Sequence, residues 1–146
     1  MSKDKEFLFQ LSKWSKAIER YNDAFKDAIK CAGDCQLAEY NNNSDNLKVL
    51  KKRYYSIKRR VVSNSKKLQD VHLELALASI DIQDETIADE TIETIFSLLT
   101  TPPEYMGLDS GLDEGTPDAF ERAMYVHEIY IEHMKLIAEK IFDIFQ

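Results

Sequence analysis

Apolar residues recur along the first forty positions at alternating intervals of four and three: Phe7, Leu11, Trp14, Ile18, Tyr21, Phe25, Ala28, Ala32 and Cys35. That spacing keeps one side of an α-helix apolar for more than four heptads and predicts a helix over about 4–38. Ala17, Ala24 and Cys31 flank the stripe, and small side chains there let a second helix approach closely. The stretch Asn41-Asn42-Asn43-Ser44-Asp45-Asn46 supplies turn formers, with Ser44 and Asp45 as capping candidates.

A second stripe follows without a slip through Leu47, Leu50, Tyr54, Ile57, Val61, Asn64, Leu68, Val71, Leu75, Ala78 and Ile82, predicting a helix over about 45–82. Asn64 is the polar member of this seam, a position where an amide commonly fixes register or partner number. Continuing the heptad would place Glu85 and Asp89 in the seam, so the stripe ends near Ile82, and a shorter helix is expected over about 84–100. The segment 101–117 holds Gly107, Gly111 and Gly115 with Pro102, Pro103 and Pro117, and reads as an acidic loop. Thr116 as N-cap and Pro117 at the first helical position then open a last helix over about 118–145. Its stripe runs through Phe120, Ala123, Met124, His127, Tyr130, Ile131, Met134, Ile137, Ile141 and Ile144, wide enough to be covered by two neighbours.

The pattern predicts a single all-α domain over 1–146: a long antiparallel, heptad-patterned hairpin with two further helices packed along it. A length of 146 residues suits one core, and an apolar content of 44% sets the chain apart from disordered ones. No run of about 18 apolar residues occurs and the first residues lack a signal-peptide core, so a cytoplasmic protein without a transmembrane segment is expected. Cys31 and Cys35 are four apart on a helix, which suits two thiols better than a disulfide or a metal site.

Charge changes the picture. The net charge of −7 hides a polarity: residues 1–70 carry 16 Lys or Arg against 9 Asp or Glu, and residues 71–146 carry 3 against 17. Between Asp45 and Asp70 stand Lys48, Lys51, Lys52, Arg53, Lys58, Arg59, Arg60, Lys66 and Lys67 with no acid among them. All nine fall outside the seam, so they coat the outer side of the second helix together with Tyr55. Solvated helices ordinarily mix Glu with Lys, because like-charge neighbours one turn apart repel. An acid-free face therefore needs a counter-charge from the acidic half of this chain or of a second copy, from a nucleic-acid backbone, or from anionic lipid or another protein. Long hairpins with basic faces also resemble, in architecture alone, curved membrane-binding coiled coils of the BAR type, although these helices are short for that family. The reverse polarity is concentrated at Asp84, Glu85, Asp89, Glu90 and Glu93. Those carboxylates suit either an acidic partner surface or the N-terminal dipole of the third helix.

Arg122-Ala123-Met124-Tyr125-Val126-His127 resembles the Arg-x4-His spacing of HEPN-type ribonucleases, which are small all-α proteins acting mostly as dimers. That resemblance implies a phosphate contact for Arg122 and a general acid or base in His127, with Ala123 departing from the usual polar residue. Read from the residues alone, a histidine on an apolar stripe is more often a satisfied core side chain. His127 to His133 does not have the spacing of a zinc or di-metal helix motif, and 109–120 lacks the glycine and final glutamate of an EF-hand loop. No cofactor or metal is indicated. The expectation is a non-catalytic helical interaction module, an assembly subunit or inhibitor-like binder, whose partner is another protein, itself as a homodimer, or both. A ribonuclease using Arg122 and His127, and a module binding nucleic acid or anionic membrane through the second helix, are the alternatives.

Overall fold

A computed structural model describes residues 2–83, 85–100 and 117–145. The chain is an all-α helical bundle: among the described residues there are four helices, α1 (Ser2–Tyr40), α2 (Ser44–Ser79), α3 (Asp89–Thr100) and α4 (Pro117–Ile144). Helix α1 follows its stripe closely. Phe7, Leu11, Trp14, Ile18, Tyr21, Phe25, Ala28 and Ala32 are all buried, as are the small flanking residues Ala24 and Cys31.

The reversal after α1 is local chemistry. Asn42 adopts the left-handed conformation (φ 55°), which asparagine tolerates better than most side chains. The Asn43 amide donates to the Ala38 carbonyl (2.9 Å) and the Asn42 amide to the Glu39 carbonyl (3.1 Å), the paired bonds of a Schellman ending. Asn43 then caps α2, its side chain accepting from the Asn46 amide at 3.3 Å. The cap therefore falls one residue before Ser44, the first of the two expected candidates.

Helices α1 and α2 pack closely and antiparallel. Cys31 Sγ meets the Leu50 carbonyl at 3.6 Å near the turn, and Trp14 meets His72 edge-on at 5.1 Å toward the open end. Helix α4 returns along α1 in the opposite sense, with Phe145 beside Phe7 (5.4 Å) and Tyr130 beside Tyr21 (6.5 Å). The short α3 lies on the C-terminal part of α2, where His72 Nε2 donates to the Leu99 carbonyl, and it also touches α4. The core lies where all four helices meet, around Trp14, Leu68, Leu75, Ile95, Leu99 and Met134.

Three expectations are corrected. Helix α2 ends at Ser79, short of Ile82, and α3 begins at Asp89, later than the expected 84. Ile82 is nevertheless buried, because the chain turns through 80–82 and the Asp4 carboxylate accepts from the Gln83 amide at 2.9 Å, pinning the connection to the start of α1. Among the described residues Asn64 makes no cross-helix bond; its Nδ2 donates to the Arg60 carbonyl on its own helix at 2.8 Å. Along α2, Leu50, Val61, Leu68 and Leu75 are buried, whereas Leu47, Tyr54, Ile57 and Val71 are half-buried. The physical reason is coverage: α3 spans 12 residues, too few to shelter the second flank of a helix of 36. The acidic loop 101–116 and Asp84 lie outside the described residues.

Candidate interaction surface

The basic segment occupies the N-terminal and middle parts of α2, from the turn with α1 onward. Lys48, Lys51, Lys52, Arg53, Arg59, Arg60, Lys66 and Lys67 are exposed and Lys58 is half-buried. Arg60 pairs with Asp27 of α1, and nearer the open end Lys13 of α1 pairs with Glu74 of α2 at 3.8 Å. Both pairs are about half exposed, where such contacts contribute roughly 0–1 kcal/mol. Among the described residues, Lys48, Lys51, Lys52, Arg53, Arg59, Lys66 and Lys67 form no ion pair. The acid that meets Arg60 comes from the basic half of the chain, and among the described residues the acidic half supplies no ion pair to those seven cations.

The same face carries apolar surface. Tyr55, Lys58, Arg59 and Val62 line a shallow depression on α2. Tyr55 and Val62, with Leu73, Leu77 and Ile80 further along, are 60, 50, 61, 58 and 60% exposed. A heptad reading assigns each of these to solvent by default, and only Tyr55 stood out from sequence. The signal for the others was a second apolar line on the same helix at separations of 7, 11, 4 and 3. The acidic stretch is exposed at Glu85, Asp89, Glu90 and Glu93. Asp89 and Glu90 stand in the first turn of α3, where carboxylates stabilise by ~0.3–1 kcal/mol each through the helix dipole.

Arg122 and His127 point apart on α4: Arg122 is exposed, and His127 has zero exposure. The imidazole stacks flat on Phe25 (4.0 Å, 5°), lies 5.4 Å from Tyr21, and shares a 2.8 Å hydrogen bond between Nε2 and Asn22 Oδ1. That bond requires Nε2 to carry the proton, since an amide oxygen only accepts. Nδ1 is buried without a partner among the described residues. Burial, helped by the nearby Lys26 charge, lowers the His127 pKa to about 4, so the ring is neutral near pH 7. Asn22 was not legible as its partner, because 105 residues separate them. Asn22→Ala leaves the ring with neither nitrogen bonded, and a loss of about 1–3 kcal/mol is expected in urea unfolding. Combining it with His127→Phe, which removes both polar partners, restores most of that loss.

Cys31 is buried, Cys35 is half-buried, and both are free thiols. Burial first, and each other's proximity for Cys31, raise their pKa values, which keeps them protonated and unreactive. No helix among the described residues is long and apolar enough to cross a membrane. No known protein family, curated protein or solved structure matches the chain.

Proposed function

We propose that this chain is a non-catalytic helical interaction module and that the outer face of α2 is its contact surface. The observation that carries this is that Lys48, Lys51, Lys52, Arg53, Arg59, Lys66 and Lys67 form no ion pair among the described residues, around exposed Tyr55 and Val62 on a hairpin whose other side is tightly packed. Such a surface steers an acidic partner by long-range attraction and holds it by apolar burial at the centre. The burial of His127 supports the non-catalytic reading, since a general acid or base must come within hydrogen-bond reach of the proton it moves.

Lys58→Glu/Arg59→Glu/Lys66→Glu tests the proposal. The triple variant is expected to keep its helical circular dichroism and to lose, by at least about tenfold, binding of an acidic protein that the wild type captures from extracts of its source cells. A wild type that is strictly monomeric and captures nothing sensitive to this reversal contradicts the proposal. Salt-steep binding of RNA or anionic vesicles, with no protein captured, assigns the face to a polyanion instead. RNA cleavage abolished by both Arg122→Ala and His127→Ala with the fold intact replaces the proposal with the ribonuclease.

A further inference from the structure

At 100° per residue, Tyr55, Val62, Leu73, Leu77 and Ile80 fall within a sector of about 60° on α2, well away from Leu50, Val61, Leu68 and Leu75, which face α1. Ile80 keeps right-handed helical backbone angles (φ −67°, ψ −26°) beyond the last α2 residue, so the line is continuous over about 37 Å at ~1.5 Å per residue. Each member is half or more exposed with α3 in place.

The line is self-complementary in one orientation. When two copies of α2 run antiparallel about a two-fold axis, residues whose numbers sum to 135 face each other: Tyr55 meets Ile80, Val62 meets Leu73, and Lys58 meets Leu77. The charges agree with that register. The part of α2 from Lys48 to Lys67 has cations and no acid, and beyond it stand Asp70 and Glu74 on α2 and Asp81 in the turn that follows, with no cation; Glu74 also meets Lys13 of its own copy across half-exposed surface. Antiparallel pairing sets Lys66 beside the partner's Asp70, Lys58 within a turn of the partner's Glu74, and Lys51 and Lys52 within a turn of the partner's Asp81. Parallel pairing sets cations on cations along the same length, which is repulsive. We infer that the partner of this face is a second copy of the chain, bound through antiparallel α2 helices in an isologous contact centred between Lys67 and Leu68.

This rests on the reading of α2 as the contact surface and adds the identity of the occupant. A strip ~37 Å long and ~10 Å wide covers about 400 Å² per copy, roughly half the ~800 Å² per partner of a standard stable interface. The dimer is accordingly weak, in the micromolar range, and salt-sensitive.

Sedimentation equilibrium of the full chain from ~5 to ~500 μM at low ionic strength is the test. The expected result is a monomer–dimer equilibrium that shifts toward monomer in ~0.5 M salt and is lost in Leu73→Glu, an exposed position where helical content should not change. Orientation is read independently from nitroxides placed on Val62→Cys or Tyr55→Cys in a Cys31→Ala/Cys35→Ala background. Across the two-fold, the 62–62 pair is offset by about 16 Å along the axis and the 55–55 pair by about 37 Å. A monomer at every concentration overturns the self-pairing, as does a dimer that survives Leu73→Glu or equal short distances at both label sites. The wider reading of the face is judged separately, by whether the triple reversal changes capture of a different protein.

Discussion

Trp14→Ala should lose about 3–5 kcal/mol of stability, the range for truncating a large aromatic in a packed core. Trp14 has no exposure and sits where α1 meets α2, its ring edge-on to His72, which in turn reaches the Leu99 carbonyl of α3. Removing it therefore opens a cavity between the hairpin and loosens the side chain that ties α3 down. Domains of this kind have only about 5–15 kcal/mol in hand, so the variant should unfold at a much lower urea concentration by far-ultraviolet circular dichroism. Trp14 Nε1 is buried without a hydrogen-bond partner among the described residues, so Trp14→Phe gives up no polar contact seen there and should cost less than half as much. Equal losses in the two variants would show that packing volume at this position is not what holds the hairpin together.

Acid should weaken the fold through His127. An unfolded histidine titrates near pH 6.5, and the folded ring is held at about 4, by burial first and by the Lys26 charge second. Below pH 6.5 the unfolded chain takes up a proton that the folded chain refuses, so stability falls as pH drops through the window from about 6.5 to 4. At roughly 1.4 kcal/mol per unit the full loss is about 3 kcal/mol. Burial also lowers the His72 pKa, against a smaller opposing pull from the Leu99 carbonyl, and acts in the same direction. Urea midpoints for wild type and His127→Phe between pH 7 and pH 4 check this. The wild type should lose stability more steeply than the variant over that interval, and parallel curves would mean that His127 takes up its proton in the folded state.

The hairpin was legible because α1 is covered on both flanks, by α2 and by α4, so every member of its stripe down to Ala32 is buried where a heptad puts it. Helix α2 was less legible because coverage changes along it. The heptad describes its contact with α1 and is silent on where a third helix begins or stops. That silence hid the exposure of Leu73 and Leu77, and it let the stripe be extended to Ile82, which reaches the core by a turn tied to Asp4. Asn64 fits the seam by spacing, yet its nearest acceptor is the Arg60 carbonyl one turn back, a choice that periodicity does not encode. The cation face was plain in composition. Which cation found an acid was not, since Asp27 meets Arg60 only through the inter-helix register. His127 was caught between two readings in sequence, and its stacking on Phe25 and bond to Asn22 place it in the core.

The most direct test of the central claim, that the outer face of α2 is where this protein meets its partner, is lysine footprinting by acetylation in source-cell extract, each site normalised to the dilute isolated chain. Lys51, Lys52, Lys58 and Lys66 are expected to be protected several-fold while Lys135 and Lys140 on α4 react unchanged, an outcome that holds whether the partner is a second copy or another protein. Equal reactivity on both helices in extract and in isolation would contradict the account.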